Sequence, residues 1–127
     1  MTTIVLAAFV QSGRVLMARR AAHKQHYPEH WDLVGGHVEP DEPVDIALVR
    51  EAYEEVGVIP LSFRHLGFFK DSQHEATYHI YAVTDWSDGP PRLLGDEHTD
   101  LIWVPIDDAN FVAPLAHPEI MSLLSLA

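Results

Sequence analysis

The stretch Gly35–Val58, GGHVEPDEPVDIALVREAYEEVGV, sets Arg50 ahead of three glutamates, Glu51, Glu54 and Glu55, in a run otherwise suited to a helix. Proline at position 43 and glycine at position 57 bound that run, so the spacing predicts a helix from about Pro43 to Val56. At about 100° of rotation per residue, Glu51, Glu54 and Glu55 share one narrow arc. Ile46, Leu48, Val49, Ala52, Tyr53 and Val56 sweep the opposite half, which is expected to be the core face. Carboxylates at i, i+3 and i+4 repel one another, and such crowding costs stability unless a cation or strong donor sits among them. A local conflict of this kind points to function, and here to a metal site.

Hard divalent cations suit such a site, because they prefer carboxylate and carbonyl oxygens and are shared with substrate phosphates. Mg²⁺ is the expected ion, with Mn²⁺ as the alternative. The Gly35-Gly36 pair lets the backbone approach closely, so the main-chain carbonyl of Gly35 is a further candidate ligand. Arg50 and Glu54 stand four residues apart, a spacing at which a guanidinium can grip a carboxylate through two parallel hydrogen bonds. Taken alone, three helical carboxylates would more often be a solvated face.

The full pattern argues otherwise. The stretch resembles the signature of the Nudix hydrolases: a glycine, five residues, a glutamate, seven residues, then Arg-Glu-apolar-x-Glu-Glu-x-Gly-apolar. Gly36, Glu42, Arg50, Glu51, Ala52, Glu54, Glu55, Gly57 and Val58 fill every one of those places, over residues 36–58. The resemblance extends more loosely from the first strand to Trp103 and Asp107. It implies a Nudix-type α/β sandwich with a mixed sheet, and glutamates at 51, 54 and 55 that hold metal or act as base, with Arg50 orienting them. Glu51 is the first candidate for the general base, because the matching glutamate often has that role. Glu97, in the loop before the last strand, is the second candidate and a further metal ligand, since relatives frequently place an extra glutamate there. Glu42 is expected to brace the loop or the arginine.

The reaction implied is hydrolysis of a nucleoside diphosphate linked to another moiety by a metal-activated water. A (d)NTP cleaved to monophosphate and pyrophosphate, in the manner of the small MutT-like members, is the leading expectation. An ADP-ribose or other sugar-nucleotide hydrolase and a non-catalytic ligand-binding domain are the alternatives. Three positions depart from the common pattern: Val34 replaces a frequent proline, Asp41 a frequent glycine, and Pro43 a frequent Ser or Thr cap. Asp tolerates left-handed backbone angles, and with proline at 43 the helix start must be satisfied by Glu42, Asp41 or water.

The rest of the chain bounds these expectations. Its 127 residues, 47% hydrophobic, suit one domain over residues 1–127. Nineteen acidic against eight basic residues leave a net charge of −11, which would repel duplex nucleic acid and an anionic membrane. A small polyanion such as a nucleotide would need cations to enter. No cysteine is present, which excludes disulfides, thiolate metal sites and thiol nucleophiles. It also excludes the isopentenyl diphosphate isomerases that share this fold, since that family needs a catalytic cysteine. The opening MTTIVLAAFVQSG is too short in its apolar run for a membrane span and reads as a strand, so a cytoplasmic protein is expected. Nothing marks an oligomer interface.

Strands are expected at Ile4–Val10 and Arg14–Arg19, joined by a Ser12-Gly13 turn, and at Trp31–Val34, broken by Gly35-Gly36. Leu61–Lys70, Ala76–Trp86 and Leu101–Pro105 follow as strands. Asp107-Asp108 opens a short helical turn, and Pro118–Leu126 is the terminal helix. His23, His26, His30 and His37 lack zinc-site spacing and read as surface loop, with His37 a weak candidate for contact with substrate phosphate. Trp31, Tyr81, Trp103 and Phe111 read as core aromatics, of which one or two can stack on a base or sugar.

Overall fold

The computed structural model describes residues 2–107 and 112–127. In chain order its elements are β1 (Thr2–Gln11), β2 (Arg14–Arg20), β3 (Trp31–Asp32), β4 (Val34–His37), α1 (Val44–Val56), β5 (Ile59–Asp71), β6 (Ala76–Ser87), β7 (His98–Pro105) and α2 (Ile120–Leu124). Strand β1 organises the sheet: it pairs antiparallel with β4 on one side and parallel with β6 on the other, and β6 pairs antiparallel with β5. At its end β1 turns through Ser12 and Gly13, both at positive φ, into β2, which carries β3 and β7 at its flanks. The sheet is therefore mixed, as expected.

The continuous apolar run of β1 has a physical reason. Val5, Leu6, Ala7, Ala8 and Phe9 are all buried, because both faces of the strand are covered. Val5, Ala7 and Phe9 pack in one cluster with Ala47, Leu48, Ala52 and Val56 of α1. Leu6 and Ala8 pack on the other face with Ile120 and Leu124 of α2. The layering is helix, sheet, helix.

Helix α1 begins one residue later than the spacing predicts, with Pro43 extended at φ −60 and ψ 145 and giving no side-chain cap. Gly57 closes it in the left-handed conformation at φ 73, its N–H reaching the Tyr53 carbonyl. Asp41 adopts φ 64, the left-handed angle expected of it. Three expectations are corrected. Ile46 and Tyr53 are 54% and 55% exposed and do not belong to the core, whereas Glu51 and Glu55 are buried. The helix leans on the sheet through the arc of Ala47, Leu48, Ala52 and Val56, and that arc borders the glutamates instead of opposing them. Gly35-Gly36 does not break a strand: both lie inside β4, and the break falls at Leu33, where the chain changes partner from β2 to β1. The reason is clearance, since a Cβ on Gly35 would stand 1.9 Å from the Val5 carbonyl oxygen. The terminal helix is shorter than Pro118–Leu126. Trp31, Tyr81 and Trp103 are half-buried, packed against the core clusters from their rims. Asp108 and Phe111 lie outside the described residues.

Candidate active site

Arg50 is the hub of the acidic helix. Its Nε and Nη2 donate to the two carboxylate oxygens of Glu42 at 2.8 and 2.9 Å, its Nη1 donates to Glu51 Oε1 at 2.9 Å, and its Nη2 also reaches the His37 carbonyl at 2.9 Å. Contacts to Glu54 are longer, 3.3 and 3.4 Å, both from Nη1. The two-pronged grip thus belongs to Glu42, not to Glu54 as the i, i+4 spacing suggests. Glu42 also accepts from the Glu39 N–H at 3.0 Å, so one carboxylate ties the loop before α1 to the arginine within it. This is the bracing role expected of it, and it leaves Glu42 unavailable to cap the helix. The guanidinium holds the Glu42 carboxyl down to a pKa of about 2.

Glycine at 36 makes room for chemistry. A Cβ there would lie 2.4 Å from Glu51 Oε2, so the small residue is what allows the buried Glu51 carboxylate to sit against β4. Burial pushes the Glu51 pKa up, Arg50 opposes that, and the charges of Glu54 and Glu55 add to it.

A cavity of about 310 Å³ gathers Gly35, Glu51, Glu54, Glu55 and Glu97, all the acidic and carbonyl candidates of the sequence, on one wall. Glu97 arrives from the loop before β7 through two anchors: its carbonyl accepts from the Ala21 N–H at 2.9 Å, and its Oε1 lies 3.3 Å from Lys24 Nζ. Its side chain shares a hydrogen bond with Glu55; burial raises its pKa, but that bond and Lys24 outweigh it and hold the carboxyl below its usual range. Two carboxyls in hydrogen-bond contact need a shared proton or a cation between them. Glu55 is also 3.4 Å from His98 Nδ1.

Four carboxylates on one wall form the oxygen donor set that a hard divalent cation takes. Among the described residues no three acids or histidines stand ready in metal-binding geometry, because Arg50 and His98 occupy the carboxylates. Loading an ion means turning Glu51, Glu54 and Glu55 from those partners. The residues fit the group in chemistry and location.

Several cavity residues carry no mark in the motif. Lys24, paired with Glu97, and Arg20, beside Asp32, bring positive charge to the cavity lining. Asp32 is buried, its Oδ1 accepting from the Leu33 N–H at 2.7 Å and its Oδ2 3.8 Å from Arg20 and 3.9 Å from His117. Trp31 brings His117 there by pairing with the 114–116 segment, through 2.8 Å bonds to the Pro114 carbonyl and the Ala116 N–H. An acid inside the apolar WDLV strand was the one available signal for Asp32. Lys24 and His117 had none. His26, read as surface loop, is exposed in a loop as expected; His37, read the same way, is exposed but ends strand β4, and both line the cavity. Among the described residues no helix is long and apolar enough to cross a membrane.

Fold and acidic wall together are those of a phosphoric-anhydride hydrolase of the Nudix type, and comparison with known proteins agrees. The NUDIX domain family model matches residues 1–124, and the chain belongs to that family. It is 33% identical over 117 residues to the nucleoside triphosphatase NudI of Klebsiella pneumoniae, covering 84% of this chain and 83% of the relative. Its fold superposes on the crystal structure of a MutT Nudix hydrolase from Burkholderia pseudomallei with a TM-score of 0.86, at 29% identity over 99% of this chain and 98% of the other. The solution structure of the E. coli ORF135 protein gives 0.80, at 31% identity over 98% and 86%. The chain is accordingly a hydrolase acting on phosphoric anhydrides.

Proposed function

We propose that this chain is a Mg²⁺-dependent pyrophosphohydrolase that cleaves a nucleoside triphosphate to the monophosphate and pyrophosphate, as a single domain working in the cytoplasm. The observation that carries the reading is the convergence of Glu51, Glu54, Glu55 and Glu97 on one cavity wall, with Arg50 behind them. Those carboxylates, with the Gly35 carbonyl, would hold Mg²⁺, or Mn²⁺ in its place. When bound, the ion neutralises charge on the phosphoryl oxygens and acidifies a water.

Glu51 is the base in this reading. Burial raises its proton affinity, which suits a carboxylate that must take a proton from water as the water oxygen bonds to phosphorus. The anhydride P–O bond breaks and pyrophosphate leaves. Glu54 and Glu97 support the same centre, and Arg50 positions Glu51 without touching substrate. Lys24 and Arg20 of the cavity lining offer charge to the phosphates, while Tyr27, Tyr78 and His117 give the nucleoside an aromatic lining. The name of the NudI relative favours a triphosphate over a sugar nucleotide.

The test is a panel of nucleoside triphosphates and sugar nucleotides with Mg²⁺, read as release of monophosphate and pyrophosphate. Turnover of a sugar nucleotide but no triphosphate would replace the substrate. Tight binding with no turnover of any member would replace the enzyme with a ligand-binding domain.

A further inference from the structure

Away from the acidic wall, His65 of β5 and His79 of β6 meet across the antiparallel pair, with His65 Nε2 2.9 Å from His79 Nδ1. A register shift between His65 and Gly67 sets the contact up: His65 stands opposite Tyr81 and His79 opposite Phe68, so the two imidazoles are diagonal neighbours on one face. Their orientation is braced. The His65 ring packs edge-on against Tyr81 with centroids 5.1 Å apart, and His79 lies 5.9 Å from Phe68. Arg64 is turned away to the Leu126 carbonyl at 2.6 Å, so that cation does not compete for the pair. His65 is exposed and His79 half-buried, leaving the site open to solvent.

The geometry points to a transition-metal site formed by His65 and His79, for a copper(II)- or nickel(II)-type ion. Two imidazole nitrogens each about 2.0–2.1 Å from one metal are about 2.9 Å apart when bound at 90°, and about 3.4 Å apart at the tetrahedral angle. The observed 2.9 Å is that of a hydrogen bond between the rings and equals the right-angle separation, so turning the two rings until both lone pairs aim at one point would seat a square-planar or tetragonal ion. The remaining positions would be taken by water, since among the described residues no third histidine or acid completes the set. The proton now held between the facing nitrogens moves to the far nitrogen of its own ring, so each ring offers a lone pair and no net charge changes. Burial and the neighbouring His65 both lower the His79 pKa, which keeps that ring in the neutral form a metal requires. This site is separate from the carboxylates: His79 pairs with Val5, whose other partner is Gly36, so it stands two strands, about 10 Å, from the acidic wall. Its nitrogen donors select different ions from those that oxygen donors take.

Calorimetric titration of the tag-free protein with Ni²⁺, with Mg²⁺ in large excess to fill the carboxylates, tests the site. The expected result is one equivalent bound by the native chain, lost in His65→Ala and in His79→Ala singly, and kept in His26→Ala, which breaks the His26–His74 ring contact instead. Retention of that equivalent in either of the first two variants, or its loss in the third, would overturn the assignment. Electron paramagnetic resonance of the native chain with less than one equivalent of Cu²⁺ gives an independent reading that needs no variant to fold. Two equatorial nitrogens are expected, and one or none would sink the proposal.

Discussion

Arg50 and Glu42, eight residues apart in the chain, form a two-pronged ion pair at 2.8 and 2.9 Å that fastens the loop before α1 to the helix that carries the acids. The same guanidinium reaches Glu51 at 2.9 Å, so the pair sets the position of the proposed base. Lysine has one point of charge and no fork, and cannot serve Glu42 and Glu51 together. Arg50→Lys should therefore keep the fold and lose roughly 10–100-fold in kcat, the usual cost of removing a partner that orients a ligand. Steady-state kinetics with Mg²⁺, beside a thermal melt, measures both; an unchanged kcat would remove Arg50 from its positioning role.

The Glu42 carboxyl gives the pair a pH signature. Its pKa in the folded chain, about 2, is depressed from the ordinary 4.5 by Arg50 first and the Glu39 N–H second. A depressed carboxyl contributes stability above its unfolded pKa and loses it as pH falls through the folded one. The contribution should be complete above pH 4.5 and fade between 4.5 and 2. In Glu42→Gln, denaturant melts across that range should show a shallower fall of stability than in the native chain, and an equal slope would contradict the assignment.

The two glycines of β4 should fail in different ways. A Cβ at 35 would meet the Val5 backbone at 1.9 Å, and backbone in mid-sheet cannot yield, so Gly35→Ala should cost about 3 kcal/mol or more of stability. A Cβ at 36 would meet the Glu51 carboxylate at 2.4 Å, the end of a side chain that can swing away. Gly36→Ala should stay folded while turnover falls on the order of 100-fold, because the displaced group is the proposed base. Urea melts and kinetics on the two variants separate these outcomes.

Glu54 is half-exposed and held only by the longer Arg50 contacts, so it contributes little to folding. Glu54→Gln should leave the melting temperature within error and lower kcat by on the order of 100-fold or more. A native rate in this variant would exclude Glu54 from the site.

The exposed apolar residues of α1 make a last comparison. Ile46→Ser and Tyr53→Ser should each shift stability by less than about 1 kcal/mol, since neither side chain is buried. Leu48→Ala, which empties a fully buried position against β1, should cost about 2–5 kcal/mol.

Much of the site was legible because it is local. Arg50, Glu51, Glu54 and Glu55 lie within six residues, and the helical period fixes their separation whatever the rest of the chain does. Gly57 as the stop, Asp41 at a left-handed angle and the Ser12-Gly13 turn are likewise short-range preferences, written in residue type and carried into the structure. Glu97 was legible only through its resemblance to a family pattern, because its approach to Glu55 depends on a loop anchored at Ala21 and Lys24.

What the chain determined by itself, then, was the presence of the acidic run GGHVEPDEPVDIALVREAYEEVGV and its chemistry, since the period of a helix is intrinsic to the backbone. Tertiary structure decided how each residue of that run was used. Which arc of α1 leans on β1 set Glu51 and Glu55 in the buried half and left Ile46 and Tyr53 in water. The close passage of β4 beside Val5 turned Gly35 from a strand break into clearance for the Val5 backbone, and Gly36 into clearance for the Glu51 carboxylate. The fold of the preceding loop gave Arg50's fork to Glu42 instead of Glu54, and the pairing of β3 with β2 and of Trp31 with the 114–116 segment brought Asp32 and His117 to the same cavity. These are contacts between residues far apart in sequence, and no local preference encodes which distant partner a side chain will meet.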